Sequence, residues 1–120
     1  MAKILIHIHS GPEHANKATL GCLVALTAVK EGHDVTLFLA ADGVHNLAPA
    51  HVERVEGEGT GRLADHIPAL KDAQVEIFVS GMSAKARGYD ERLLGGFNAS
   101  FAMPDKLVAL ATAADTVLCY

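Results

Sequence analysis

Short runs of aliphatic and β-branched residues alternate with segments of helical spacing along the whole chain, and few architectures accommodate that order. KILIHI at 3–8 and the run at 35–39 within GHDVTLFLA read as strands. Between them, 15–31 places Ala18, Cys22, Leu26 and Val29 at helical spacing, and Gly32 follows Lys30 and Glu31 as a helix stop would. This is a β-α-β unit. The alternation continues with a helix over 61–71, a strand at 75–79, a short helix ended by Gly88, a strand near 99–102, a helix over 105–113 and a strand at 116–119. Each parallel crossover has to pass over a sheet face, so the expected fold class is α/β, with a mainly parallel sheet of about five strands covered on both faces.

A chain of 120 residues, half of them hydrophobic and a fifth charged, is long enough for one apolar core and too short for two ordinary domains. One domain over 1–120 is expected, without repeats or an inter-domain linker. The net charge of -4 comes with no basic block, which removes the electrostatic footprint that nucleic acid requires. No segment approaches the roughly 18 consecutive apolar residues of a membrane span, and the chain enters its first strand without a signal-peptide layout. A cytoplasmic protein without a membrane partner is expected. Cys22 and Cys119 have no paired spacing, so neither a disulfide framework nor a cysteine zinc site is indicated.

In sheets of this kind ligands bind beyond the carboxyl ends of the strands. That rule selects SGPEHAN (10–16), AADGVHNL (40–47) and SGMSAKARG (80–88). In the last, the strand runs straight into a short helix across Ser80, Gly81, Met82 and Ser83. Unpaired N–H groups at such a turn suit an anion or a ligand oxygen, with Arg87 as a bidentate partner if its side chain folds back. The plainer reading is that Ser80 or Ser83 caps the helix. Nucleophilic serine chemistry is disfavoured, because SGMS does not match the G-x-S-x-G elbow. Asp42 and Gly43 suit a tight turn after the second strand. Asn16 is a candidate cap for the first long helix, and GEGTG (57–61) reads as a connector, with a flexible lid as the alternative.

Four segments in order, KILIHIHSGPEHANKA, EGHDVTLFLAADGVHNL, FVSGMSAKARGY and LVALATAADTVLCY, give the chain its resemblance to the DsrE/DsrF-like family of small α/β proteins, several of which carry sulfur as a cysteine persulfide. The resemblance implies a flavodoxin-like three-layer α/β/α sandwich that assembles into homo-oligomers: dimers, trimers or hexamers. It places DGV at the rim of the site or at a subunit contact. It also implies that a persulfide cysteine would stand at Ser80, or in some relatives at Ser83. Serine stays protonated near neutral pH and forms no stable persulfide, so the shape of the turn is kept without its covalent chemistry.

His7 and His9 share a strand face because side chains alternate with period two. His9 lies at the ligand end with Ser10, and His14 and His45 follow in loops that could bring three imidazoles near Ser80. H-x-H alone is a weak signal, and neither a metal nor a cofactor is expected. His33, His51 and His66 read as solvated surface. Cys22 on the apolar face of its helix and Cys119 in the last strand both read as buried thiols. The leading functional expectation is a DsrE-like protein with a degenerate sulfur-carrier site, binding a small anionic or sulfur-containing ligand or a partner protein at the Ser80 turn. The alternatives are a sulfur carrier using Cys119 or Cys22, and a structural or regulatory subunit of a hetero-oligomer with a cysteine-bearing relative.

Overall fold

The computed structural model describes residues 1–120. The elements in chain order are β1 (Lys3–Ile8), α1 (Ala15–Lys30), β2 (Asp34–Leu39), α2 (Pro49–Val52), β3 (Glu56–Gly57), β4 (Gly61–Arg62), α3 (Leu63–Asp72), β5 (Glu76–Ser80), α4 (Gly81–Ala86), β6 (Ala99–Ala102), α5 (Pro104–Ala113) and β7 (Thr116–Cys119). Short 3₁₀ turns lie at Pro12–His14, Ala41–Leu47 and Glu91–Leu94. No helix is long and apolar enough to cross a membrane.

Five strands form one sheet in the order β6-β5-β2-β1-β7, and every neighbouring pair runs parallel. The α/β class with its mainly parallel sheet is therefore as expected. Strand order, which local pattern does not encode, follows from the crossovers. The chain steps in one direction from β1 through β2 and β5 to β6, and right-handed connections then put α1, α3 and α4 on one face. Their buried residues Cys22, Ala25, Leu63, Ile67 and Ala84 join Ile6, Ile8, Leu37, Leu39, Ile77 and Val79 in one cluster of 20 buried residues. Complete burial of each large aliphatic side chain there contributes about 1.5–3 kcal/mol.

The last connection runs from β6 at one edge back to β7 at the other, so α5 crosses the opposite face alone. Leu110 and Ala113 line a cavity with Leu5, Thr36 and Glu76 on that side, and the Lys106 ammonium lies 4.9 Å from the centre of the Phe78 ring. The covering is thin: no residue after Leu93 is buried.

The GEGTG segment is a connector, as expected, but one with structure of its own. It forms the β3–β4 hairpin, tied to α1 by a Thr19–Thr60 hydroxyl pair at 2.6 Å and by the Glu58 N–H, which donates to Asn16 Oδ1 at 2.8 Å. Asn16 therefore anchors the hairpin instead of capping α1, whose N-terminus has no side-chain cap.

Candidate functional site at the Ser80 turn

The connections following β1, β2 and β5 all turn to one face, whereas the connection following β6 turns to the other. The divergence falls between β5 and β6, whose C-terminal residues Ser80 and Ala102 are register partners. In open α/β sheets the crevice between such diverging neighbours is where ligands bind. The Ser80 turn thus occupies the position that topology favours, a fact that strand order alone could reveal.

Ser80 caps α4: its hydroxyl oxygen accepts the Ser83 N–H at 3.1 Å. The Ser83 hydroxyl oxygen in turn accepts the Ala41 N–H at 2.9 Å. Ala41 holds φ at 50°, in the left-handed region that costs an L-residue roughly 1–2 kcal/mol, and this hydrogen bond ties that strained residue to α4. Both hydroxyls act as acceptors toward the backbone, which leaves each O–H proton for another partner. Ser80 is buried, while Met82 beside it is 58% exposed. An added Cβ on Gly81 would lie in ordinary contact with the Phe101 Cβ, at 3.7 Å, so the glycine faces the β6 side of the crevice.

Arg87 folds back along α4 and is already paired there. Its Nε and Nη2 donate to Asp42 Oδ1 at 3.2 and 3.0 Å, and its Nη1 donates to the Ser83 carbonyl at 3.1 Å. The sequence marks Arg87 as a cation near the turn but not the carboxylate that a different strand end brings to it. Asp42 is thereby the partner of Arg87 as well as a turn former.

Beyond Asp42 the network continues to a residue that sequence reasoning missed. His45 Nδ1 and the Tyr89 hydroxyl are 2.6 Å apart, and His45 Nε2 lies 3.9 Å from Asp42 Oδ1. Tyr89 reaches this place because Gly88, at φ 81°, reverses the chain after α4. The Gly88 N–H donates to the Lys85 carbonyl and the Tyr89 N–H to the Ala84 carbonyl, the paired bonds of a Schellman stop. An R-G-Y ending was the available signal, since the residue after the stopping glycine commonly packs back on the helix.

The other expected residues lie elsewhere. Ser10, Gly43, His9 and His14 belong to the β1 and β2 ends, and β1 stands two strands from β5. Ser10 is buried and its carbonyl accepts the Asn46 side-chain N–H at 3.0 Å. His9 and His14 are exposed. The imidazoles do not converge: they form the pairs His7/His9, with ring centres 5.3 Å apart, and His45/His51, at 4.8 Å. No group of three or more His, Cys, Asp or Glu side chains is arranged to hold a metal ion.

The three histidines expected as solvated surface each have a structural neighbour. His33 Nδ1 accepts the Ala2 N–H at 3.0 Å, His66 Nε2 lies 2.8 Å from the Thr60 carbonyl, and the His51 ring lies tilted against that of His45. The two thiols separate. Cys22 is buried, which pushes its pKa up to about 12. Cys119, expected to be buried, is exposed on β7, which is an edge strand.

Burial lowers the pKa of His45 from its ordinary 6.5, and the neighbouring His51 and Arg87 lower it further against the opposing Asp42 and Glu13. Burial, followed by the charge of His9, lowers His7 in the same way. The unfolded chain therefore binds these protons more readily, and stability falls as pH drops from about 6.5 toward the lowered folded values. Urea midpoints are expected to be lower at pH 5.5 than at pH 7.5. Equal midpoints would contradict the neutral native state of both rings.

The family model described as DsrE/DsrF-like matches residues 2–120. Among solved structures, the YchN protein from E. coli superposes with a TM-score of 0.79 at 19% identity, covering 100% of both chains. The protein of unknown function MTH1491 from Methanobacterium thermoautotrophicum superposes with a TM-score of 0.68 at 17% identity, again over 100% of each chain. At these identities the likeness concerns the fold. Comparison with curated proteins gives no match.

Proposed function

The chain belongs to the DsrE/DsrF-like family, and from that premise we propose that it is a cytoplasmic, homo-oligomeric binding protein whose Ser80 turn is a degenerate sulfur-carrier site. The turn takes a small anionic or sulfur-containing ligand without bonding to it covalently. One observation carries the reading. At the diverging ends of β5 and β6, the Ser80 and Ser83 hydroxyls both accept backbone N–H groups, and both retain a proton to donate.

Charge sets the expected affinity. Arg87 is already paired with Asp42, so an anion meets oriented hydroxyl and amide donors but no free guanidinium, which favours weak and exchangeable binding. Association with further copies is supported by the C-terminal stretch, which is largely apolar yet buries no residue after Leu93 and exposes Val108 at 62% and Val117 at 41%.

The test is a titration of nitrogen-15-labelled protein with thiosulfate, a small anion that contains a sulfur–sulfur bond. Saturable amide shifts confined to 80–84 and Ala41 are expected. Replacing Asp42 by asparagine should tighten binding by about tenfold, because it leaves Arg87 without its carboxylate. Shifts scattered over the surface, or none at all, would sink the reading.

A further inference from the structure

We propose that the cavity between α5 and the first residues of β1, β2 and β5 is a binding site for a short aliphatic ammonium ion, separate from the Ser80 turn. The two places are independent: Glu76 and Ser80 are the opposite ends of β5, about 13 Å apart at roughly 3.3 Å per residue.

Register builds one wall. Lys3 is paired with Asp34, Leu5 with Thr36, and Thr36 with Glu76, and directly paired residues project to the same face of a sheet. These side chains line a cavity of about 180 Å³ that Leu110, Ala113 and Ala114 border from the α5 side. The short side chains of Thr36 and the two alanines leave the space unfilled. Its volume slightly exceeds the roughly 150 Å³ of an apolar cavity that accepts benzene, so it suits a body of about six to eight non-hydrogen atoms.

Charge selects a cation. Asp34 and Glu76 both border the cavity, and neither takes part in any of the ion pairs of the chain. A third carboxylate, Asp115, accepts the Lys3 backbone N–H at 2.8 Å just beyond α5. The helix contributes its C-terminal end, where no basic residue stands in the last turn, so the negative end of its dipole lacks the usual cation. Against these stands one ammonium at the rim, that of Lys3. The next, that of Lys106, lies 4.9 Å from the centre of the Phe78 ring. The helix end and the carboxylates are separate features of the fold, and both call for positive charge.

Exposure sets the pose. Asp34 and Glu76 are exposed, whereas Leu5 is only 1% exposed. A ligand that lays an alkyl body against Leu5 and Leu110 keeps its ammonium at the wet rim beside the carboxylates, as a lysine side chain does on an apolar surface. A neutral body of the same size gains the apolar contact alone, and an anion is repelled.

The test is a titration of the nitrogen-15-labelled full chain with n-pentylammonium, beside 1-pentanol and butyrate as neutral and anionic probes of equal size. Saturable shifts of amides at 3–5, 34–36, 76 and 110–115 are expected with the ammonium, with those at 80–84 unmoved. The alcohol should bind about tenfold more weakly, and butyrate should not saturate. Asp34→Asn and Glu76→Gln, both at exposed positions, should each weaken the ammonium by about threefold to fivefold, the range of a solvent-exposed ion pair. Lys3→Gln should tighten it by a similar factor, a gain that mere structural disturbance would not produce. Equal binding of the alcohol, preference for butyrate, unchanged affinity in both carboxylate variants, weaker binding in Lys3→Gln, or shifts that are scattered, absent or centred on 80–84 would overturn the proposal.

Discussion

Replacing Gly43 by alanine is expected to cost the fold about 3 kcal/mol, the upper end for overpacking a close contact, and to weaken the Asp42–Arg87 pair with it. A Cβ at Gly43 would overlap the Ile8 carbonyl oxygen and lie 3.3 Å from the His9 Cα. Both obstacles are backbone, at the buried end of β1, and cannot rotate away. Relief requires the 3₁₀ turn at Ala41–Leu47 to lift from β1, and that turn carries Asp42, His45 and the Ala41 N–H bonded to Ser83. The urea midpoint should fall accordingly, and shifts of the Ser83 and Tyr89 amides should accompany it. A variant with unchanged stability would mean that the β1–turn contact is looser than these distances.

Ser80→Cys is expected to create the most reactive thiol in the chain, with a pKa lowered by about one unit or more from the ordinary 8.5. The Ser80 oxygen accepts the Ser83 N–H, and a thiolate there would receive the same donor at the start of α4. Ser80 is also buried, and burial works in the opposite direction by raising a thiol pKa. The oriented amides are expected to outweigh desolvation, because the turn opens beside Met82, which is well exposed. Iodoacetamide alkylation followed against pH in a Ser80→Cys, Cys119→Ser background measures the balance. A thiol pKa at or above 8.5 would show that burial prevails, and would remove the physical basis for a sulfur-carrier ancestry of this turn.

The spacing of apolar residues determined most of the elements. Strands at 99–102 and 116–119 occur where β-rich runs predicted them, and α1 ends at Lys30 before Gly32, because period and stop signals are local properties of the chain. The short pieces escaped. The 3₁₀ turn at Ala41–Leu47, α2 and the β3–β4 hairpin are held by contacts with distant residues, such as Thr19 with Thr60, and carry little periodicity of their own.

The candidate site divides along the same line. Sequence alone determined that Ser80 and Ser83 stand where a strand meets a helix and that Asp42 follows the second strand, since each statement depends only on neighbours along the chain. Tertiary structure decided that Arg87 belongs to Asp42, that Tyr89 meets His45, that Ser80 lies where the connections diverge, and that Asp34 and Glu76 border one cavity beside α5. Those facts depend on strand order and register, which bring together residues far apart in sequence, and no local pattern records which strand lies beside which.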